Sequence, residues 1–164
     1  MIDGGGEQMT LRAVARLADA CNIVDGDIAE VRHKLAVLRG HCDAAGRDYD
    51  TIEKTRIQPW LLARDDAAVA AKRERLAASG PLRGFVGTVS EAIDLIGQHQ
   101  DAGIELLINA DRRNDVKSRK LFVSDVMPHF ARRKIYRDSG NGKYLSTEAA
   151  NMTTTPLFGL SVQF

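Results

Sequence analysis

Helical patterns alternate with short apolar runs through most of this sequence, and that alternation limits the fold more than any other feature. The first helical pattern follows three glycines and consists of Leu11, Val14, Ala15, Ala18 and Cys21. The next segment, 20–24, is short and apolar apart from one asparagine, which predicts a strand. Strands that alternate with helices form parallel sheets joined by right-handed crossovers. The sequence therefore predicts an α/β fold.

Two helices have clear start signals. Asp27 stands three residues before Glu30, and Thr88 stands three residues before Glu91, which are the spacings of a capping box or its variant. Gly46 is the predicted stop of the first of these helices. These signals predict where both helices begin and where the first of them ends.

The remaining elements are predicted from composition and period. Residues 67–78 and 115–130 have helical patterns, and the second carries an apolar stripe. Residues 55–62 read as extended, and Pro59 predicts a bend or a strand end there because proline has no N–H. Residues 104–109 are mostly apolar without alternation, as in a strand covered on both faces.

The length of the chain limits how far this pattern can extend. A complete (β/α)₈ barrel takes about 250 residues, and this chain has 164. We expect one domain with a parallel sheet of three strands, at 20–24, 55–62 and 104–109. Parallel sheets of this kind occur in doubly wound folds and in barrels. In the second case the fold would be a partial (β/α)8 TIM barrel with crossover helices, which this chain alone could not close.

The C-terminal part differs from the rest. Residues 132–164 hold five basic and two acidic residues, or +3, which leaves −2 for residues 1–131. Glycine, threonine and proline clusters interrupt any period there. We expect residues 1–131 to form the barrel half and 132–164 to form a poorly ordered, irregular basic tail. The alternative is that residues 156–164, which are apolar at alternating positions, pair with an exposed sheet edge.

Charge and composition exclude several classes of partner. The net charge is +1, so there is no global attraction to nucleic acid or to an anionic membrane. The apolar runs are too short for a membrane span, and the first residues do not resemble a secretory signal. Cys21 and Cys42 have no metal-type spacing and fit reduced thiols. We expect a soluble cytoplasmic protein.

A series of short segments lies in a recognisable order over residues 4–130. The segments are 4–22, 31–35, 38–42, 46–48, 52–55, 87–88, 101–104 and 122–130. In order and spacing they resemble the luciferase-like monooxygenases, especially the deazaflavin-dependent (coenzyme F-420) oxidoreductases. The resemblance covers the C-terminal half of such an enzyme.

The resemblance implies a barrel enzyme that binds reduced FMN or coenzyme F-420 and transfers a hydride or activates dioxygen. This chain would be a fragment or subunit of such an oxidoreductase, acting on a small organic substrate and inactive by itself. Gly4, Gly5 and Gly6 match the family's glycine-rich turn, which binds the cofactor phosphate. Glycines let backbone N–H groups approach an anion, and a helix N-terminus favours negative charge. The alternative for these glycines is a flexible N-terminus.

Two other functions stay open. A noncatalytic, truncated barrel remnant would act through association with a partner chain, either a second copy or a chain that supplies the missing strands. Open strand edges favour such association. An unrelated α/β binding module is the third possibility. No catalytic residue is predicted.

Polar residues near predicted strand ends are candidates for ligand contacts. Asn22 and Asn109 could hydrogen-bond a cofactor or substrate, although turn formation is the commoner role of such asparagines. Arg112 and Arg113 could clamp a phosphate or carboxylate, or lie in a solvated loop. Trp60 could stack on a flavin ring, but a core position is favoured.

Other reactive residue types give weaker signals. His33, His41 and Cys42 lack ordinary zinc spacing, so no metal site is predicted. Cys21 and Cys42 are expected to be small buried hydrophobes rather than nucleophiles. The run 132–134 is expected to be a solvated part of the tail.

Overall fold

The computed structural model describes residues 1–3, 6–24, 26–78, 84–110, 115–130, 135–137, 144–146 and 159–163. The helices are α1 (Thr10–Leu17), α2 (Ile28–Ala45), α3 (Asp66–Ala77), α4 (Val89–Asp101), α5 (Val116–Leu121) and α6 (Met127–Phe130). The strands are β1 (Ile2–Asp3), β2 (Ala20–Ile23), β3 (Glu53–Gln58), β4 (Trp60–Ala63), β5 (Phe85–Thr88), β6 (Leu106–Ala110), β7 (Ile135–Arg137), β8 (Tyr144–Ser146) and β9 (Gly159–Gln163).

The main sheet is parallel, as the alternation of helices and strands predicted. Its strand order is β1-β2-β3-β6-β9, and every neighbouring pair in it is parallel. The sheet has five strands rather than the predicted three, because β1 and β9 add one strand at each side. The carboxyl ends of β1, β2, β3 and β6 therefore lie at one edge of the sheet. The loops that follow these strands begin at that edge.

The predicted bend or strand end at Pro59 is confirmed, but the segment 55–62 is two strands rather than one, because the chain changes sheets at this proline. β3 ends just before this proline, and β4 begins just after it and pairs in parallel with β5. Pro59 has no N–H to donate, but its carbonyl accepts a hydrogen bond of 2.9 Å from the N–H of Phe85. Gly84 makes this approach possible: its φ is +103°, and a Cβ there would lie 2.5 Å from the Pro59 carbonyl oxygen.

The predicted helix boundaries are confirmed. The Asp27 carboxylate accepts a hydrogen bond of 2.9 Å from the Glu30 N–H at the start of α2. Gly46 ends that helix with a φ of +64°, in the left-handed region that favours glycine. Thr88 and Glu91 form a reciprocal capping box at the start of α4.

The last predicted helix, over 115–130, is interrupted in the middle. α5 leads into a π-helical segment, Phe122–Val126, which continues into α6. The predicted apolar stripe is present, since Leu121, Phe122 and Val126 are buried. A π segment adds one residue to a turn and so shifts the stripe without ending the helix.

One apolar core joins the sheet to its helices. The first helical pattern contributes Leu11, Val14, Ala15 and Ala18 to it, all buried. Cys21, which the same spacing had included in the helix, lies instead in β2, because α1 ends at Leu17 and the chain is already extended from Ala20. Both cysteines are free and buried, as predicted for small core residues.

Three strands lie in the range predicted to be an irregular tail. β7 and β8 form an antiparallel pair, and β9 pairs in parallel with β6. The alternative of sheet pairing is thus the arrangement found for Gly159–Gln163. The division of the chain at residues 131 and 132 stays a prediction.

Candidate functional site

The loops that follow the parallel strands form one edge of the sheet, and the candidate site lies there. In parallel α/β folds, ligands bind at the carboxyl ends of the strands. The first such loop joins β1 to α1 and contains the three glycines. Gly4 and Gly5 lie outside the described residues, whereas Gly6 is described and exposed.

Gly6 closes the turn onto the start of α1. Its carbonyl accepts a hydrogen bond of 3.0 Å from the Leu11 N–H. A Cβ at Gly6 would lie 2.9 Å from the Thr10 hydroxyl oxygen, so the turn has little room for a side chain. A side chain at this position would therefore require the Thr10 side chain to move.

The start of α1 differs from the starts of α2 to α5 in having no side-chain cap. Its first turn also holds no acidic residue, a property that it shares with α5. By contrast, α2, α3, α4 and α5 are each capped by a side chain: Asp27, Asp65, Thr88 and Asp115. An uncapped N-terminus presents backbone donors and the positive end of the helix dipole. This helix start has the chemistry that binds an anion.

Two histidines of α2 contact the residue that follows Gly6. The His41 Nε2–H donates a hydrogen bond of 2.9 Å to the Glu7 carbonyl. The His33 Nε2 lies 3.0 Å from the Glu7 carboxylate. The two histidines therefore contact the glycine turn, and no group of three His, Cys, Asp or Glu side chains in the described ranges is arranged to hold a metal ion.

Cys42 takes no part in these contacts. Its side chain lies in the core. Burial raises the pKa of the Cys42 thiol, against a smaller opposite effect from Arg47. A raised pKa disfavours the reactive thiolate.

The turn interpretation is wrong for both asparagines, since each lies inside a strand and is buried. The Thr55 hydroxyl donates a hydrogen bond of 3.0 Å to the Asn22 Oδ1, which links β2 to β3. The Asn109 Oδ1 accepts a hydrogen bond of 3.1 Å from the Trp60 N–H. Asn22 therefore joins two neighbouring strands, whereas Asn109 joins β6 to β4 of the second sheet, and the Asn109 Nδ2 is buried without a hydrogen-bond partner.

Trp60 lies in the core, as favoured from the sequence, and is 0% exposed. Its ring is 5.1 Å from Phe85, 6.1 Å from Phe122 and 6.2 Å from His99, measured between centroids. The indole N–H is buried and has no hydrogen-bond partner. Stacking on a flavin would require this side chain to leave the core.

His99 is a buried residue that the sequence reasoning missed. It is 2% exposed, and neither ring nitrogen has a hydrogen-bond partner. Burial, with a smaller contribution from Arg56, lowers the pKa of His99 to about 4. The signal was present, because Ala92, Ile96 and His99 share one helical face.

Arg56 is a second missed residue and ties β3 to the loop after β2. Its guanidinium donates hydrogen bonds of 2.6 Å to the Gly26 carbonyl and 3.2 Å to the Gln58 amide oxygen. Together with His99 it borders a groove of about 360 Å³. The groove also contains Ile28, Phe85, Leu95 and Gln98 but no residue of the glycine turn.

A buried lysine joins three elements near the loop after β6. The Lys72 Nζ donates to the Leu62 carbonyl at 2.6 Å, to the Asp115 carboxylate at 2.7 Å and to the Ser118 hydroxyl at 2.7 Å. Burial opposes ionisation of Asp115, but the hydrogen bonds from Lys72 and Ser118 outweigh it and hold the pKa of Asp115 below its ordinary value. All three ammonium protons are engaged, so Lys72 has a structural role.

The remaining sequence candidates cannot be placed. Arg112 and Arg113, and the basic run 132–134, lie outside the described residues. Their proposed ligand contacts stay predictions.

Several solved structures of other proteins share the fold of this chain. The coenzyme F420-dependent tetrahydromethanopterin reductase from Methanopyrus kandleri matches with a TM-score of 0.62 and 14% identity, over 78% of this chain and 50% of that one. The riboflavin lyase RcaE matches with a TM-score of 0.65 and 12% identity, over 78% and 41%. The EDTA monooxygenase EmoA from Chelativorans sp. BNC1 matches with a TM-score of 0.59 and 16% identity, over 77% and 44%. No protein-family model and no curated protein matches this sequence.

The matches agree with the predicted partial barrel. The chain spans half or less of the length of each of these structures. At these identities the likeness establishes the fold and not the activity. The chain therefore has the fold of one part of a (β/α)₈ barrel, as the sequence resemblance implied.

Proposed function

We propose that this chain is part of a flavin- or deazaflavin-dependent oxidoreductase and that its glycine turn binds the cofactor phosphate. The observation that carries the proposal is the uncapped start of α1 behind Gly6, at the carboxyl edge of a sheet with this fold. The solved structures of this fold include an F420-dependent reductase and a lyase described with a modified FMN. Both facts support a cofactor with a phosphate group.

The described residues fit the phosphate end of such a cofactor. Gly6 leaves no side chain between a ligand and the helix, and Thr10 adds a hydroxyl at the first helical position. Backbone N–H groups of the first turn other than that of Leu11, which donates to the Gly6 carbonyl, would donate to the phosphate oxygens. Gly4 and Gly5, which lie outside the described residues, stay candidates for the same contact from the sequence.

When bound, the reduced cofactor supplies a hydride or reacts with dioxygen. The residues of this chain would bind its phosphate and orient it relative to the sheet edge. A small organic substrate would bind at the same edge, and we assign no catalytic residue. The proposed role of this chain is therefore to position the cofactor.

A binding experiment tests the phosphate contact. FMN and riboflavin differ only in the phosphate, so the full chain should bind FMN more tightly in a fluorescence titration. Met9→Asp places a carboxylate at the exposed N-cap of α1, and repulsion should weaken FMN binding about tenfold. Met9→Leu, which adds neither a charge nor a capping oxygen, is the control and should not weaken it. Equal affinities for FMN and riboflavin would contradict the proposal.

Association with another chain is the second proposed function, and one observation favours it. β1 pairs with β2 on one side only among the described strands, which leaves an open parallel edge. A second copy, or a chain that supplies further strands, would pair with that edge. Sedimentation of the purified chain tests this, because a monomer at all concentrations would contradict self-association.

The proposed location is the cytoplasm. Both cysteines are free and buried, which fits a reducing compartment. Within the described ranges, none of the helices has the length and apolar character needed to cross a membrane. Nucleic acid is not among the proposed partners, because the net charge is only +1.

A further inference from the structure

Glu7 contacts α2 through two different groups. Its carbonyl accepts from the His41 Nε2–H at 2.9 Å, and its carboxylate lies 3.0 Å from the His33 Nε2. The two histidines are eight residues apart, about 12 Å along the helix axis. Glu7 is thus held at two points of one rigid helix.

The hydrogen bond from His41 fixes the backbone of the turn. Glu7 directly follows Gly6, whose carbonyl accepts from the Leu11 N–H at 3.0 Å. A fixed Glu7 carbonyl restricts the peptide units on both sides of that bond. His41 is only partly exposed, so the hydrogen bond is shielded from competing water.

The contact with His33 controls where the Glu7 carboxylate lies. A carboxylate so close to a helix N-terminus is attracted by the helix dipole. If it were released, it could occupy the donors of α1 and exclude a phosphate. His33 instead contacts it on α2, through side chains that are 59% and 40% exposed.

We infer that His41 and His33 are positioning residues for the glycine turn. His41 fixes the turn backbone, and His33 holds the Glu7 carboxylate away from the uncapped start of α1. The role in phosphate binding rests on the function proposed above, whereas the effect on the turn itself does not. Neither histidine is predicted to touch the cofactor.

Hydrogen exchange tests the effect on the turn without any ligand. His41→Leu removes the donor, and His41→Gln keeps an N–H at the same reach from the backbone. The Leu11 amide should exchange about fivefold faster in His41→Leu, as expected for one lost hydrogen bond, and at nearly the wild-type rate in His41→Gln. The Ala102 amide, which bonds within α4, is the internal control for global opening.

Titration with FMN and riboflavin then tests the link to phosphate. His41→Leu and His33→Leu should each weaken FMN binding about fivefold and leave riboflavin binding unchanged. Glu7→Gln added to His33→Leu should restore FMN binding, because the released side chain then carries no charge. His129→Leu alters an exposed histidine outside these contacts and should change nothing.

The outcomes separate the two proposals. An unchanged Leu11 exchange rate in His41→Leu overturns the positioning role of His41, whatever binds. Weaker binding of His33→Leu that Glu7→Gln does not restore overturns the role of His33. If the wild-type chain does not prefer FMN to riboflavin, the phosphate proposal and the cofactor role of both histidines fail, while the exchange result still decides whether His41 fixes the turn.

Discussion

Buried polar side chains in this protein differ greatly in how many hydrogen-bond partners they have. Lys72 places all three ammonium protons on nearby oxygens. His99 has no hydrogen-bond partner at either ring nitrogen. A buried polar group without a partner costs about 1–3 kcal/mol. His99 is therefore the residue at which the stability of this fold should respond most directly to acid.

We predict that His99→Met makes the protein less sensitive to acid. The pKa of His99 is about 4 in the folded chain and about 6.5 in an unfolded one. Between these values the unfolded state binds a proton that the folded state does not, so stability falls as the pH decreases from 6.5 towards 4. At pH 5 this difference in proton binding lowers the free energy of unfolding by about 2 kcal/mol.

Urea unfolding at pH 7.5 and pH 5 measures this effect. The loss of unfolding free energy between the two pH values should be smaller in His99→Met by that amount. His129→Met, at an exposed position, is the matched control and should behave like wild type. The same pH dependence in His99→Met and wild type would show that His99 titrates normally.

Helix ends were the elements that the sequence predicted best, and strand ends were predicted less well. The capping signals of Asp27 and Thr88 act over three residues, so local sequence is enough to read them. Pro59 itself predicted a bend or strand end, but the change of sheet there also involves Gly84 and Phe85, about 25 residues further along the chain. No local pattern contains that partner, and β5 was missed for the same reason.

We predict that Gly40→Ala stabilises the protein. Gly40 lies inside α2, is exposed, and a Cβ there would meet no atom within 4 Å. Glycine in a helix interior is about 1 kcal/mol less favourable than alanine, so the unfolding free energy should rise by roughly that amount. Thermal or urea unfolding measures the change.

Gly46→Ala is the matched control for this element. Gly46 ends the same helix with a φ of +64°, which alanine adopts only with strain, so that variant should be less stable. A gain in stability from both substitutions would contradict the different backbone roles assigned to the two glycines.

Over the whole molecule, the parallel sheet was predicted but its extent was not. The apolar runs at β2 and β6 identify central strands. β1 has two residues, and β9 follows the long range 138–158, in which only β8 is described. Their places in the sheet depend on long-range pairing. The candidate site was likewise predicted only in its local part. The glycines are visible in the sequence, but the histidines that contact Glu7 come from another helix.

We predict that removing residues 159–164 lowers the melting temperature by several degrees. β9 pairs with β6 along Leu106–Ala110, and its loss would leave backbone groups of that strand without partners. A poorly ordered tail would instead leave the melting temperature unchanged. Leu160→Pro in the full chain, which removes one strand N–H, should reproduce part of the decrease.

The parallel order of the main sheet also affects how the chain folds. Thr55 pairs with Leu106, and Leu106 with Gly159, so each pairing closes a loop of about fifty residues. Chains dominated by such distant contacts fold slowly, since loop entropy is lost before the contacts form. During that interval the edges of β3 and β6 are open to other chains. Newly synthesised molecules are therefore most exposed to aggregation before β9 reaches its place.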